Sequence, residues 1–178
     1  MGVTVKSMAL IKTKNGFTLV ELLLYVSIAS IMLLVISIFL TNLLQSRIKN
    51  QTIAEVDGQG GLIMQIITQA TRNAENVTSP APGATASSMI LDVLHTAADP
   101  TVFDIFGGTI RISEGNGNTI ALSNTRVTAT NLIFKNVSRP DTPGTVQIQF
   151  TLTHANTENR NEYDYRRTFT GSATLRHP

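Results

Sequence analysis

The stretch that decides the fold reads Lys14-Asn15-Gly16-Phe17-Thr18-Leu19-Val20-Glu21. It leads directly into residues 22–46, which carry no charged side chain. At about 1.5 Å per residue a helix over those residues is roughly 37 Å long, against a bilayer core of about 30 Å. An unpaired carboxylate at the edge of such a helix costs about 3 kcal/mol on entering a membrane. Glu21 therefore needs a partner.

The composition excludes several classes of site. The 178 residues contain no cysteine, so disulfides, thiolate zinc sites and cysteine nucleophiles are all excluded. The formal net charge is +2, but three of the 14 basic side chains, Lys6, Lys12 and Lys14, precede Gly16. A chain beginning at Phe17 carries the other basic residues against 12 acidic ones and is slightly acidic. A general affinity for nucleic acid thus loses its compositional support.

The charges around the apolar stretch predict its orientation. No small-residue cleavage site follows it, so we expect the segment to stay with the protein and any processing to fall before it. The three leader lysines favour a cytoplasmic N-terminus and place the C-terminal domain outside. Arg47 and Lys49 on the far side reduce this asymmetry to three charges against two.

The motif from Gly16 to Glu21, after a short lysine-bearing leader, resembles the class III signal of type IV pilins and of the pseudopilins of type II secretion and competence systems. This resemblance implies that a prepilin peptidase cuts between Gly16 and Phe17 and that the new amino group of Phe17 is methylated. It makes residues 1–16 the removed leader and residues 17–46 the transmembrane and filament-core helix. The alternative is an uncleaved signal anchor in which the glutamate occurs by chance.

The same resemblance assigns Glu21 as a charge partner in assembly, and physical reasoning agrees. Cleavage would give Phe17 a cationic α-amino group, which a nearby carboxylate can neutralise. Within one helix the two groups are four residues apart; in a filament the partner could be the amine of a neighbouring subunit. Either pairing avoids an unmatched charge among apolar helices.

The chain beyond the anchor predicts an α+β fold of the pilin kind, with the C-terminal half of a long N-terminal helix packed on an antiparallel β-sheet. Neither proline nor glycine occurs from Phe17 to Asp57, so the first helix should be continuous. Apolar residues continue at helical spacing over 47–77, and the glycines of 58–61 suggest a hinge or, as we favour, a break between two helices. Residues 78–88 read as a linker and 89–178 as a β-sheet domain.

Alternating patterns and turn residues predict the strands of that domain. Residues 114–118 supply the glycines and asparagines of a tight hairpin turn, and residues 138–144 are also rich in turn formers. The predicted strands cover residues 89–94, 102–106, 109–113, 119–123, 127–134, 146–153 and 163–175.

Signals for catalysis or ligand binding are sparse. His95, His154 and His177 are isolated and fit no metal or nucleophile motif. Three acidic residues lie in or beside predicted loops and could contribute oxygen ligands to a calcium site: Asp99, Asp104 and Glu114. The preference of turns for such residues explains their positions equally well, and the sequence contains no twelve-residue calcium loop. Four C-terminal arginines could serve an anionic ligand such as DNA, although Glu158, Glu162 and Asp164 are interleaved with them; they are Arg160, Arg166, Arg167 and Arg176.

These observations favour a structural subunit without enzymatic activity, cofactor or metal. The resemblance implies as partners prepilin peptidase, other pilin or pseudopilin subunits, an inner-membrane assembly platform and, before assembly, membrane lipid. It places the protein in the cytoplasmic (inner) membrane as a single-pass chain and then in a pilus or pseudopilus at the cell surface or in the periplasm. The chain resembles a minor subunit in two features: it lacks paired C-terminal cysteines, and it has a predicted strand around residues 131–134. Two alternatives stay open: a DNA-uptake or adhesive pilin, and a stationary membrane-anchored extracytoplasmic domain.

Overall fold

The computed structural model describes residues 16–139 and 143–176, so residues 1–15 of the predicted leader, the centre of the 138–144 turn and His177 lie outside the described residues. Within these residues one α-helix, α1, runs from Leu19 to Asn73 and is followed by nine strands and a short 3-10 helix, Asn161–Tyr163. The strands are β1 Asn76–Ser79, β2 Thr85–Ala86, β3 Met89–Asp92, β4 Thr101–Phe106, β5 Thr109–Glu114, β6 Ile120–Ala121, β7 Val127–Asn136, β8 Thr145–His154 and β9 Arg166–Thr174.

The chain divides into two compact units, Met1–Leu44 and Gln45–Pro178. The described part of the first unit is mainly the apolar beginning of α1. Its large hydrophobic side chains are exposed at the surface of the protein. α1 is the one helix in the described residues that is long and apolar enough to cross a membrane. The second unit contains the rest of α1 and all the strands, and it holds the hydrophobic core.

In the second unit, α1 buries one narrow stripe against the sheets. The stripe recurs every three or four residues, as expected for a helix packed on one side. Its members are Thr52, Val56, Gly60, Ile63, Ile67 and Thr71. The helix meets β9 through Gly60 and Met64, which lie against Phe169 and Gly171, and it meets β8 through Glu55, which lies beside His154.

The predicted break at residues 58–61 is absent, because α1 continues through them. Gly60 is buried where the ring of Phe169 approaches the helix so closely that an added Cβ would lie 2.0 Å from its Cζ. This glycine therefore serves close packing rather than a bend. An added Cβ at Gly58 or Gly61 would meet nothing within 4 Å among the described atoms, so those two positions lie on an open surface.

The strands of the described residues form two antiparallel sheets rather than the single sheet expected from the sequence. One has the order β1-β3-β4-β5-β6 and the other the order β2-β7-β8-β9. The β4–β5 hairpin joins them, since the main-chain N–H of Ala129 in β7 donates to the Gly108 carbonyl at 2.7 Å. Three phenylalanines at the centre of the core, Phe103, Phe134 and Phe150, are completely buried.

The α+β class and the predicted strands are confirmed, with local differences at the boundaries. The helix ends at Asn73, and the apolar residue Val77, expected to extend it, lies in β1 instead. The supposed linker 78–88 contains the end of β1 and the whole of β2. The hairpin turn after β5 forms as expected, with Gly115 at a φ of +54° where an added Cβ would lie 2.3 Å from the Ala97 carbonyl oxygen.

Candidate functional site

The candidate site is the beginning of α1, where local sequence fixes the position of Glu21. Thr18 precedes the first helical residue, and its hydroxyl oxygen accepts a hydrogen bond from the Glu21 main-chain N–H at 3.2 Å. Its carbonyl accepts from the Leu22 N–H at 3.1 Å. Thr18 therefore caps the helix and satisfies one of the N–H groups that a helix start leaves without partners. The carboxylate of Glu21 is consequently held in the first turn.

The side chain of Glu21 has a local partner, Tyr25. The Tyr25 hydroxyl, one helical turn further on, donates to Glu21 Oε1 at 3.2 Å. The Tyr25 ring also contacts Phe17 edge to face, with ring centroids 6.0 Å apart at 72°. An ionised carboxylate has two oxygens and several acceptor positions, so this bond leaves Glu21 able to accept from a cation as well.

Sequence reasoning overlooked both Thr18 and Tyr25, although the signals were present. Thr18-Leu19-Val20-Glu21 has the threonine-to-glutamate spacing of a capping box, and Glu21 and Tyr25 stand at the i, i+4 spacing that brings side chains together on one face. In a complete capping box the glutamate side chain would accept from the main-chain N–H of the capping residue. Here the Glu21 carboxylate accepts from the Tyr25 hydroxyl instead. Phe17 and Gly16 lie just before the helix, where both are exposed.

In the part of the chain that the structure describes, nothing in the packing or backbone requires a glycine at position 16. An added Cβ there meets nothing within 4 Å, and its φ lies outside the left-handed range. Packing and backbone strain thus give no reason for glycine at this position.

Three hydroxyl groups in the apolar part of α1 are satisfied within the helix. The hydroxyls of Ser27, Ser30 and Thr41 each donate to the carbonyl four residues earlier; the last two bonds measure 2.7 and 2.9 Å. Internal satisfaction is what an apolar environment demands of a polar side chain. The large hydrophobic side chains of the same segment are at least about half exposed, for example Leu33 at 68% and Phe39 at 66%. Such a surface is suited to lipid or to other apolar helices.

The predicted alternatives for the globular unit receive little support. Asp104 forms a two-bond ion pair with Arg111, at 2.8 and 2.6 Å, and this raises the pKa of the arginine. One carboxylate oxygen of Asp99 accepts from the Val93 main-chain N–H at 3.4 Å, and Glu114 ends β5. Within residues 16–139 and 143–176, no three acidic, histidine or cysteine side chains are grouped so that they could hold a metal ion.

Two of the four C-terminal arginines are neutralised within the protein. Arg160 pairs with Glu162 at 2.6 Å, and Arg167 pairs with Asp57 of α1 at the same distance. Main-chain hydrogen bonding and, next, the Arg160 guanidinium lower the pKa of the Glu162 carboxyl. The four arginines therefore do not form one continuous cationic surface of the kind that binds a phosphate backbone.

His154 belongs to a structural cluster between α1 and the four-stranded sheet. Its Nε2 lies 3.8 Å from Glu55 Oε2, and its ring stacks on Tyr163 with centroids 5.6 Å apart. Glu55 also accepts from Asn124 at 3.0 Å and from Arg126 at 3.4 Å. A carboxylate held by three side chains from the sheet side stabilises the packing of the helix, and nothing in the cluster resembles a nucleophile with its base.

Residues 11–37 match the family model described as the prokaryotic N-terminal methylation motif. The match covers Gly16 to Glu21, including the Thr18 cap, and the first part of the apolar helix, and it supports a class III signal like that of type IV pilins and a pilin- or pseudopilin-like precursor. No curated protein and no solved structure matches the chain.

Proposed function

We propose that this chain is a structural subunit, of the minor kind, of a type IV pilus or of a type II secretion or competence pseudopilus. Prepilin peptidase removes residues 1–16, and the exposed amine of Phe17 is methylated. The apolar part of α1 then leaves the inner membrane and joins the helical core of a filament. The assembly platform and other pilin or pseudopilin subunits are its partners in that step.

One observation carries the proposal, namely that the methylation motif leads into an apolar helix whose large hydrophobic side chains are exposed. A helix of this kind is stable in lipid and equally stable among other helices of the same character. A subunit that is stored in a membrane and later moves into a filament needs both properties.

Glu21 gives the proposed assembly its register. In the free subunit the carboxylate accepts from Tyr25, whose ring contacts the ring of Phe17, the residue that would carry the new amine. In a filament the amine of one subunit and the carboxylate of a neighbour neutralise each other. Breaking a buried pair by removing one partner costs about 3–5 kcal/mol, because it leaves an uncompensated charge.

The experiment expresses the full chain in a host that has prepilin peptidase and the matching assembly system, and it measures two separate events. Cleavage is followed by the mass of the membrane-extracted protein, and assembly by the amount recovered in sheared filaments. We expect Glu21→Ala to be cleaved normally while its recovery in filaments falls by at least about tenfold, the effect of 1.4 kcal/mol.

A matched control is Glu75→Ala, which removes an exposed carboxylate outside α1 and should assemble normally. Glu21→Asp keeps the charge but shortens its reach, so its recovery should lie between those of the wild type and Glu21→Ala. Normal incorporation of Glu21→Ala would refute the role of the carboxylate. Failure of the wild-type chain to lose its leader would instead refute the proposed function and favour the stationary membrane-anchored domain.

A further inference from the structure

β9 is the one long strand at an edge of either sheet within the described residues. The five-stranded sheet ends in β1, of four residues, and β6, of two residues; the four-stranded sheet begins with β2, also of two residues. Very short edge strands are a common protection against pairing with other chains. β9 has nine residues and no proline, so it lacks that protection.

The register of β9 shows which of its main-chain groups face outward. The His154 N–H donates to the Tyr165 carbonyl at 2.9 Å and the Leu175 N–H to the Gly144 carbonyl at 2.8 Å, so odd-numbered residues bond β8. In an antiparallel pair the alternate residues point the other way. These outward residues are all exposed, and their main-chain N–H and carbonyl groups bond no other main-chain group of the described chain. They are Arg166, Thr168, Thr170, Ser172 and Thr174.

A groove along α1 borders the C-terminal end of this free edge. The Arg176 N–H, next in the outward series, donates to the Arg72 carbonyl at 3.1 Å, and Gly171 lies against Met64. The groove has a volume of about 550 Å³, and its walls include Gly61, Met64, Arg72 and Arg176. A Cβ added at Gly61 would meet nothing within 4 Å among the described atoms. An incoming strand thus finds hydrogen-bonding groups on one side and a helix beside it.

The charges around the edge select the strand that can pair there. Arg166 lies at one end, and Arg72 and Arg176 lie at the other; none of the three forms an ion pair with a carboxylate of the described residues. Antiparallel pairing of two copies of β9 would bring the Arg166 end of each strand onto the Arg176 end of the other. Like charges opposed across a sheet are destabilising, whereas acidic side chains would be stabilising.

We infer that β9 and the adjoining groove bind an extended acidic segment of a different protein chain, which adds as a fifth strand to the four-stranded sheet. Main-chain hydrogen bonds supply the affinity, and the arginines at the two ends of β9 supply the preference for acidic side chains. The inference concerns the globular unit alone, so it stands independently of leader cleavage and of the role of Glu21.

The test uses the full-length chain in detergent micelles and a fluorescent octapeptide of alternating valine and glutamate, with the alternating valine–lysine peptide as a control probe. Binding is measured by fluorescence anisotropy. Thr170→Pro removes an outward N–H without removing a bond to β8, and Thr170→Val keeps that N–H as the matched control. The double variant Arg72→Glu/Arg176→Glu reverses the charge at one end of the edge.

We expect the acidic peptide to bind the wild type and Thr170→Val, and to bind Thr170→Pro and the double arginine variant at least tenfold more weakly. The lysine peptide should not bind. Equal binding of the acidic peptide to Thr170→Pro and Thr170→Val would overturn strand addition, and absence of binding to the wild type would overturn the inference as a whole.

Hydrogen exchange of the wild type provides a measurement that does not depend on a variant folding. The acidic peptide should slow exchange at the amides of Thr168, Thr170 and Ser172 and leave the amides that bond β8 unchanged. Peptide binding without this protection would contradict an edge-strand site. Protection that appears in the absence of peptide and grows with protein concentration would show pairing of two copies, which also contradicts the inference.

Discussion

Gly60→Ala provides a sharp test of how α1 packs on the globular unit. A Cβ at this position would lie 2.0–2.4 Å from three atoms at the tip of the Phe169 ring. The ring cannot retreat freely, because it stacks on the fully buried Phe150 with centroids 5.3 Å apart. Extra volume in a well-packed site costs about 1–3 kcal/mol.

The two other glycines of the same helix segment make the comparison quantitative. Replacing a helical glycine by alanine gains about 1 kcal/mol when nothing else changes. Gly58→Ala and Gly61→Ala meet no atom within 4 Å, so each should stabilise the unit by about that amount. Gly60→Ala has the same helical gain but adds the contact, so it should be about 1–3 kcal/mol less stable than Gly61→Ala.

The assay is urea unfolding of the full-length protein in detergent, followed by circular dichroism, for the wild type and the three alanine variants. The expected order of unfolding free energy places Gly58→Ala and Gly61→Ala above the wild type and Gly60→Ala below Gly61→Ala. Phe169→Leu replaces the opposing ring by a smaller aliphatic side chain. Adding it to Gly60→Ala should therefore recover part of the lost unfolding free energy, as a double-mutant cycle would show. An equal gain from all three glycine substitutions would refute the close packing of Gly60 and Phe169.

Three further outcomes are expected. Asn136→Ala should lower the unfolding free energy by about 1–3 kcal/mol, since the buried Asn136 amide donates to the Pro80 carbonyl at 2.8 Å and its loss leaves that carbonyl unsatisfied; the exposed Asn118→Ala is its control in the same urea titration. The Glu162 carboxyl has a pKa below its usual 4.5, so its charged form stabilises the fold above that pH and the contribution is lost as the pH falls through the folded pKa. Thermal unfolding should therefore show a difference between Glu162→Gln and the wild type at pH 7 that disappears in acid; a difference that persists at low pH would contradict this origin. Arg160→Gln should reduce the same pH dependence, because its guanidinium contributes to the lowered pKa of Glu162.

The local features of the fold were accessible from the sequence, and the non-local ones were not. Strands such as β7 and β8 follow from period-two alternation, and the β5–β6 turn follows from its glycines and asparagines. The reason for Gly60 lies in Phe169, more than a hundred positions away, so no window around the glycine could distinguish close packing from a break. The division into two sheets likewise depends on which strands pair, and alternation alone does not determine pairing.

The candidate site shows the same limit in a milder form. Gly16, Phe17 and Glu21 could be selected from spacing and from the apolar helix that follows. The Thr18 cap and the Tyr25 bond were also local, and the capping-box spacing and the i, i+4 rule would have found them. What the sequence could not supply was the free edge of β9, because exposure of an edge is a property of the assembled sheet.

Removal of the leader is tested by the N-terminal residue of the protein extracted from membranes of cells that contain prepilin peptidase. We expect a chain that begins at Phe17 and carries a methyl group on its α-amino nitrogen, with Gly16 and everything before it removed. The Gly16→Leu variant should keep its leader under the same conditions. A mature protein that still begins at Met1, or that begins at any residue after Phe17, would contradict the account.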